Sequence, residues 1–484
     1  MRSTLLAGAS AAALLAAAPA LAVSITAPVI VNDDASAIDV ESDAVVASND
    51  EDVTPIDVRA DDVSIGNDGV IRQTDDDGYA ITTTGQRTTV ANRGVIASGD
   101  RGIEAFDEIE DADGDDAPTG SEGLSVLNEA GASISSRRQA VRSPAPGATV
   151  ENRGEIVSIE GRAIQVRGNG ATIENHGLLE GGEEVVEGRG DFTLTNHGDI
   201  AIGRRELGEP DEDGFRAAIG PVSDAEGAVN GLPDDEDGVQ FAGGALRNHG
   251  LIRGTDDGVD TDEGLIVNHA GARIETVGGG NGVDIDEVYE DEAVERPNGT
   301  LRIENAGVIE GERAVGADDD ATNAIEIENS GVLRGRSGVA VALAPGQGSS
   351  SVTLSGGSEV YGDILFGGGD DMLTIEGVTS GMLINSAFDG GEGANMVVLE
   401  GYDLADILGF GPKAGGVERL TLLSEGDRLT APFRNFQTWR VGGTDYDAAA
   451  LAAATPGPAP IPLPGTLPML LAGMGAVAAL RRRR

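Results

Sequence analysis

Apolar residues in this chain alternate with polar ones in short runs, and glycine cuts the runs apart. Residues 149–170, TVENRGEIVSIEGRAIQVRGNG, show the unit. Val150 and Asn152 lead to a turn at Gly154, and Ile156 follows as an inward residue. Gly161 turns again, and Ala163-Ile164-Gln165-Val166 alternates as a further short strand. Period-two alternation of β-branched residues bounded by glycine is strand and turn chemistry, not helix chemistry. Residues 172–190, TIENHGLLEGGEEVVEGRG, repeat the unit.

One triplet marks the phase of the repeat: Asn, any residue, Gly. It reads NDGVI at 67–71, NRGVI at 92–96, NRGEI at 152–156, NHGLL at 175–179, NHGDI at 196–200, NHGLI at 248–252, NAGVI at 305–309 and NSGVL at 329–333. Stretched forms stand at 128–134, NEAGASI, and 268–274, NHAGARI. Asn128, Asn152, Asn175 and Asn196 are 24, 23 and 21 residues apart. Such a period belongs to solenoids, whose coils bury their apolar faces only by stacking on a neighbour. The expected fold is all-β: a single-stranded, right-handed parallel β-helix of about 20–25 residues per coil. Ile71, Ile96, Ile156, Leu179, Ile200, Ile252, Ile274, Ile309 and Leu333 should form one inward stack. Coils stacked about 4.8 Å apart place Asn over Asn, so that each side-chain amide bonds the next. Asn also tolerates a left-handed bend, and the adjacent Gly supplies a free φ.

The triplet absorbs every histidine. His176, His197, His249 and His269 all follow its Asn. Asp, Arg, Ala and Ser are accepted in the same slot, so the plain reading is a solvent-facing filler. The alternative is His176 over His197, or His249 over His269, as one-coil ladders that bind a metal.

Composition narrows the function. Cysteine is absent, so neither disulfides nor thiolate zinc sites can form. The net charge is −50, which excludes nucleic acid as a partner, since phosphate binding needs the opposite sign. So large a charge repels itself unless salt or bound cations screen it. A saline habitat and surface calcium both answer that need.

Both ends read as address labels. Arg2, the apolar run Leu5–Ala18 and Ala20-Leu21-Ala22 form a signal peptide over 1–22, expected as a helix. At the other end a Pro/Ala-rich linker, 446–460, precedes 461–484. There Ile461-Pro462-Leu463-Pro464-Gly465 leads into an apolar helix up to Leu480 and then Arg481–Arg484. Sixteen helical residues span about 24 Å, short of the ~30 Å hydrocarbon core. This ending resembles the VPLPA-CTERM variant of the PEP-CTERM sorting signals, with Ile for the leading Val and Gly for the final Ala. The resemblance implies an exosortase-type processing enzyme, transient anchoring in the inner membrane through the C-terminal helix, and delivery to the surface or exterior of a Gram-negative cell.

Between the labels the chain divides into an entry or cap segment at 23–60, Asn-x-Gly coils over 61–345 and Gly-rich closing coils over 346–445. Acidic interruptions at 107–120, 203–238 and 286–299 are expected as loops thrown from the coils, the usual place for binding in solenoids. In the closing coils, YGDILFGGGDDMLTIEG at 361–377 and FDGGEGANMVVLEG at 388–401 resemble RTX calcium nonapeptides, with Asp371 and Asn395 at the ligand position. These lie 24 residues apart, whereas nonapeptides run in tandem. Over about 60–440 the pattern is closer to autotransporter passengers, which are exported β-helices. Only 45 residues follow Trp439, however, and a barrel translocator needs at least ~8 strands of 9–11 residues.

One constellation carries candidate chemistry. Residues 258–262, GVDTD, and 282–286, GVDID, fall one coil apart. Alternation turns Val259, Thr261, Val283 and Ile285 inward and Asp260, Asp262, Asp284 and Asp286 outward. In register the four carboxylates form a rectangle of about 4.8 by 6.8 Å, flanked by Asp257 and Asn281. Like charges directly opposite destabilise a sheet, and calcium with its oxygen ligands is the simplest remedy. Solvated acid is a second reading. A catalytic carboxylate pair of a polysaccharide-acting β-helical enzyme, glycosidase or lyase, is a third. The sequence therefore favours an exported structural or adhesive β-helix that meets extracellular polysaccharide or another surface ligand.

Overall fold

The computed structural model describes residues 24–455, apart from several short stretches and the segments 106–120, 208–217, 222–234, 287–298 and 378–382. The expected signal peptide and C-terminal sorting helix lie outside the described residues, as do most of the three interruptions. Within 203–238 a short antiparallel pair, Arg205–Leu207 with Ala218–Pro221, is described by its backbone.

The chain winds as a β-solenoid of stacked parallel coils, about 12 turns in all. A typical coil has three strands, as in Thr149–Asn152, Glu155–Ser158 and Ile164–Val166. Each strand pairs in parallel with its counterpart one coil on, giving three continuous faces. The first runs through the Asn residues, the second through the predicted Ile/Leu stack, and the third through the short strand after the Gly161 corner.

The inward stack is as expected. Ile71, Ile96, Ile156, Leu179, Ile200, Ile252, Ile274, Ile309 and Leu333 are all fully buried, and Ile134 joins them in register. Interruptions do not disturb the register. Ile200 pairs with Ile252 and Asn196 with Asn248, although 52 residues separate the latter two. Coil pairing begins within 23–60, where Val40 pairs with Asn67 and Val46 with Ile71.

Asn stacks on Asn through ten coils. Each Nδ2 donates to the Oδ1 of the next, from Asn67 to Asn92 at 2.8 Å up to Asn305 to Asn329 at 2.7 Å. The same Nδ2 of Asn152 donates to the Leu178 carbonyl at 3.0 Å, while its Oδ1 accepts from the Gly154 N–H at 3.2 Å. Asn67 has Val40 on its other side, which offers no donor, and the Asn67 Oδ1 stays unpartnered.

In the unstretched triplet the glycine has a different role from the one expected. None of Gly94, Gly154, Gly177, Gly198 or Gly250 has a positive φ. Left-handed glycines include Gly131 and Gly271 of the two stretched forms, and Gly123, Gly147, Gly170 and Gly190 at the corner that precedes the first face. What the triplet glycine supplies is clearance. A Cβ on Gly177 would lie 2.0 Å from the Gly154 carbonyl oxygen of the adjoining coil. Gly177→Ala should therefore destabilise the fold by about 3 kcal/mol, read as a lowered melting temperature. Gly170→Ala, with nothing within 4 Å but φ +76°, tests strain without a clash and should cost less.

Beyond Asn329 the polar ladder gives way to Leu354, Ile375 and Leu399 in the same column. Antiparallel strands Ile407–Lys413, Val417–Ser424 and Asp427–Arg434 then fold over the last coils. Several aromatics gather there. Phe433 stacks on Phe388 at 4.8 Å and meets the buried Trp439 edge-on at 5.0 Å. A helix, Ala448–Ala454, is N-capped by Asp447, whose carboxylate accepts from the Ala450 N–H at 2.7 Å. This cluster covers the apolar end that a stacked solenoid otherwise leaves open.

Candidate functional site

The third face carries a polar column. Its central residues run in register as Asp57, Thr82, Glu104, Arg142, Gln165, Glu187, Gln240, Asp260 and Asp284. Alternation turns them away from the aliphatic core, yet Glu104, Gln165, Glu187, Asp260 and Asp284 are all buried. The rectangle faces away from the core as expected, but burial corrects the reading of it as solvated acid. Asp260 is 7% exposed, Asp262 5% and Asp284 9%. A carboxylate so placed needs a partner or a proton.

In the first part of the column each carboxylate faces a donor or a cation, and Glu104 Oε2, which has no hydrogen bond, lies 3.5 Å from Arg101. Arg142 bonds Glu104 and donates through Nε to Gln165 at 2.9 Å, and Gln165 donates to Glu187. Arg162 lies 2.7 Å and Arg189 3.0 Å from Glu187. Gln240 then donates to Asp260 Oδ2 at 2.9 Å. There the supply of donors ends. The next side chain is Asp284, an acceptor, and Asp260 Oδ1 is buried without a partner.

Other carboxylates close around this break. Asp237, Asp256 and Asp257 present oxygens within 4.8 Å of one another, and Asp284, Asp286 and Asp318 do the same. Asp260 stands between these two groups and feels both Asp286 and Asp237. Main-chain and amide donors hold the walls in place. The Asp257 N–H donates to Asp237 at 3.0 Å, the Asn281 N–H to Asp257 at 2.5 Å, and Asn281 Nδ2 to Asp284 at 2.5 Å. Among the described residues no Arg or Lys pairs with Asp237, Asp257, Asp260 or Asp284.

Burial and mutual repulsion raise their proton affinities. Burial, then the Asp284 and Asp237 charges, push Asp257 up to about 9. Burial is also the main cause for Asp237, to about 7, and for Asp284, to about 7 with Asp286 and Asp318 adding to it. Asp260 is pushed well above the usual carboxylate range, by burial first and Asp286 next. Glu104 is likewise raised by burial, but Arg142 and Arg101 oppose that shift.

Of the four residues proposed from sequence, the structure thus brings together Asp260, Asp284 and Asp286. Asp262 is buried just past the end of its strand, with its main-chain oxygen accepting from Asn323, and belongs to neither carboxylate group. The sequence reading named Asp257 and Asn281 only as flanks, and it missed Asp237, Asp256 and Asp318. A signal for Asp237 was present. Asp237-Gly238-Val239, Asp257-Gly258-Val259 and Asn281-Gly282-Val283 are the same corner in three successive coils. Asp318 stands beyond the 286–299 interruption and has no such motif.

The RTX-like pair has another use. Asp371 and Asn395 stack one coil apart, and the Asp371 N–H donates to Asn395 Oδ1 at 2.8 Å. Asp371 Oδ1 accepts from the Ser350 N–H at 2.7 Å, and Asn395 Nδ2 donates to the carbonyls of Gly390, Glu392 and Asn435. Both side chains close backbone corners. The histidines all lie in one column, with ring centroids 4.8, 4.5 and 3.8 Å apart from His176 through His197 and His249 to His269. The chain matches no known family model, no curated protein and no solved structure.

Proposed function

We propose that the protein is an exported β-solenoid with a structural or adhesive role at the surface or in the extracellular matrix of a Gram-negative cell. Calcium, in this reading, stabilises its third face. The unpartnered Asp260 oxygen between two groups of carboxylates carries the calcium part. Asp237, Asp256 and Asp257 on one side, Asp284 and Asp286 on the other, offer the oxygen-rich shell a hard cation requires, with Asp260 shared between them. The exterior is where calcium is abundant, which agrees with the signal-like start at 1–22. A catalytic role for the pair gains no support from its geometry, because carboxylates this buried leave no room for a sugar between them.

The continuous stack also suits the mechanical role. Coil binds coil through main-chain pairs and the Asn ladder, so the rod resists bending and presents whatever its interruptions carry. Delivery would depend on the VPLPA-CTERM-like end and an exosortase-type enzyme, with the apolar helix holding the chain in the inner membrane until cleavage. Mass spectrometry of protein recovered from the cell exterior should show residues 1–22 removed and a new C-terminus near Pro464. An externally recovered chain that still ends at Arg484 would rule out that processing.

A further inference from the structure

The slot after each ladder Asn forms a continuous exposed column beside the first face. Main-chain bonds fix its order: the N–H groups of Arg93, Arg153, His176, His197, His249 and His269 each donate to the Asn carbonyl of the adjoining coil. Its early part is ion-paired, with Arg93 2.6 Å from Asp68 and Arg153 3.3 Å from Glu129. Four imidazoles then follow on four consecutive coils, although an interruption lies in the sequence between His197 and His249. His176, His197 and His249 are exposed and His269 half-buried.

One end of this stack has an additional ligand. Glu174 Oε1 lies 2.8 Å from His176 Nε2. One ligand atom each from Glu174, His176 and His197 fall within 4.8 Å of one another. Ligands of a tetrahedral ion at ~2.0–2.1 Å stand about 3.3 Å apart. The Glu174–His176 pair is already close to that separation, and His197 must close by about 1.5 Å. Stacked rings also aim their lone pairs in parallel, so one ring must tilt to share an ion. Exposed side chains turn at little cost.

We propose that Glu174, His176 and His197 bind a divalent transition-metal ion of the zinc class, with water completing its shell. Imidazole nitrogen selects such ions, whereas calcium prefers oxygen alone, so this site is chemically distinct from the carboxylates of the third face. It rests on different residues and does not depend on the calcium reading.

The test is calorimetric titration of the full chain with zinc chloride in excess calcium chloride, which occupies the many surface carboxylates. Cobalt(II) chloride absorbance reports tetrahedral nitrogen ligation independently. One zinc ion per chain is expected. His176→Ala and His197→Ala should each weaken it by at least about tenfold and abolish the tetrahedral cobalt bands, and Glu174→Gln should weaken it less. His269→Ala and the Asp260→Asn/Asp284→Asn double variant should bind as the parent does. The alanine variants should fold, since Ala306 occupies the same slot, and far-UV circular dichroism checks this. Undiminished zinc binding by a His176→Ala/His197→Ala double variant would assign the ion to the acidic surface and overturn the proposal. Loss of zinc in the Asp260→Asn/Asp284→Asn variant would overturn it equally.

Discussion

Millimolar calcium is expected to raise the melting temperature of the protein by about 5 °C at pH 8, and by much less at pH 5. The difference follows from the carboxylates of the third face. In the unfolded chain they titrate near 4. Folded, Asp237 and Asp284 are raised to about 7 and Asp257 to about 9. Between those limits the folded state keeps protons that the unfolded state has lost. Stability without metal therefore falls as pH rises from about 4 to about 9, at about 1.4 kcal/mol per unit of raised pKa for each group. The penalty is absent below the unfolded pKa and complete above the folded one. Calcium replaces the protons, so its effect grows over the same window.

The Asp260→Asn/Asp284→Asn double variant separates this cluster from the general repulsion of a chain with net charge −50. Without calcium it should melt higher than the parent at pH 8, because two buried like charges are gone. It should match the parent near pH 4 and lose the calcium response. Differential scanning calorimetry over a pH series with calcium or chelator measures all of this. A parent protein indifferent to calcium, or a double variant that responds as the parent does, would exclude the site.

Asn152→Ala, in the ladder's middle, is expected to cost about 3–5 kcal/mol. Asn152 donates to Asn175 at 2.9 Å and to the Leu178 carbonyl at 3.0 Å. It accepts from Asn128 at 2.8 Å and from the Gly154 N–H at 3.2 Å. Alanine removes all four bonds, strands buried polar groups in both adjoining coils and leaves a small void. Asn329→Ala should cost less. Leu354 lies above it, so only Asn305 and the Gly331 carbonyl lose a partner. Denaturant unfolding of the two variants gives the comparison. Equal losses would show that the ladder adds nothing beyond filling space.

Much of this architecture was legible because the solenoid is nearly one-dimensional. Each coil meets only its two neighbours, so a period in sequence becomes a column in space. The Asn phase alone places Ile71 over Ile96 and Asn67 over Asn92, and the Asp260–Asp284 register follows from it. Alternation was less informative about environment. It states which side of a strand a residue takes, not whether that side is covered, so Asp260 points away from the core as alternation requires and is nonetheless buried.

The sequence by itself determined the parallel coils, the inward aliphatic stack, the amide ladder and the pairing of Asp260 with Asp284. These are properties of neighbouring coils at constant phase, where the pattern that builds the strand also sets the contact. Tertiary structure alone decided what crosses the interruptions. It set Asp318 beside Asp284, and it joined His197 to His249 in one column. It also revealed that the glycine of the unstretched triplet serves close approach of coils, whereas Gly131 and Gly271 of the stretched forms take the left-handed bend. An insertion erases the period in sequence but not the stacking of the coils on either side of it. The hydrogen-bonded register of the solenoid restores those contacts in space.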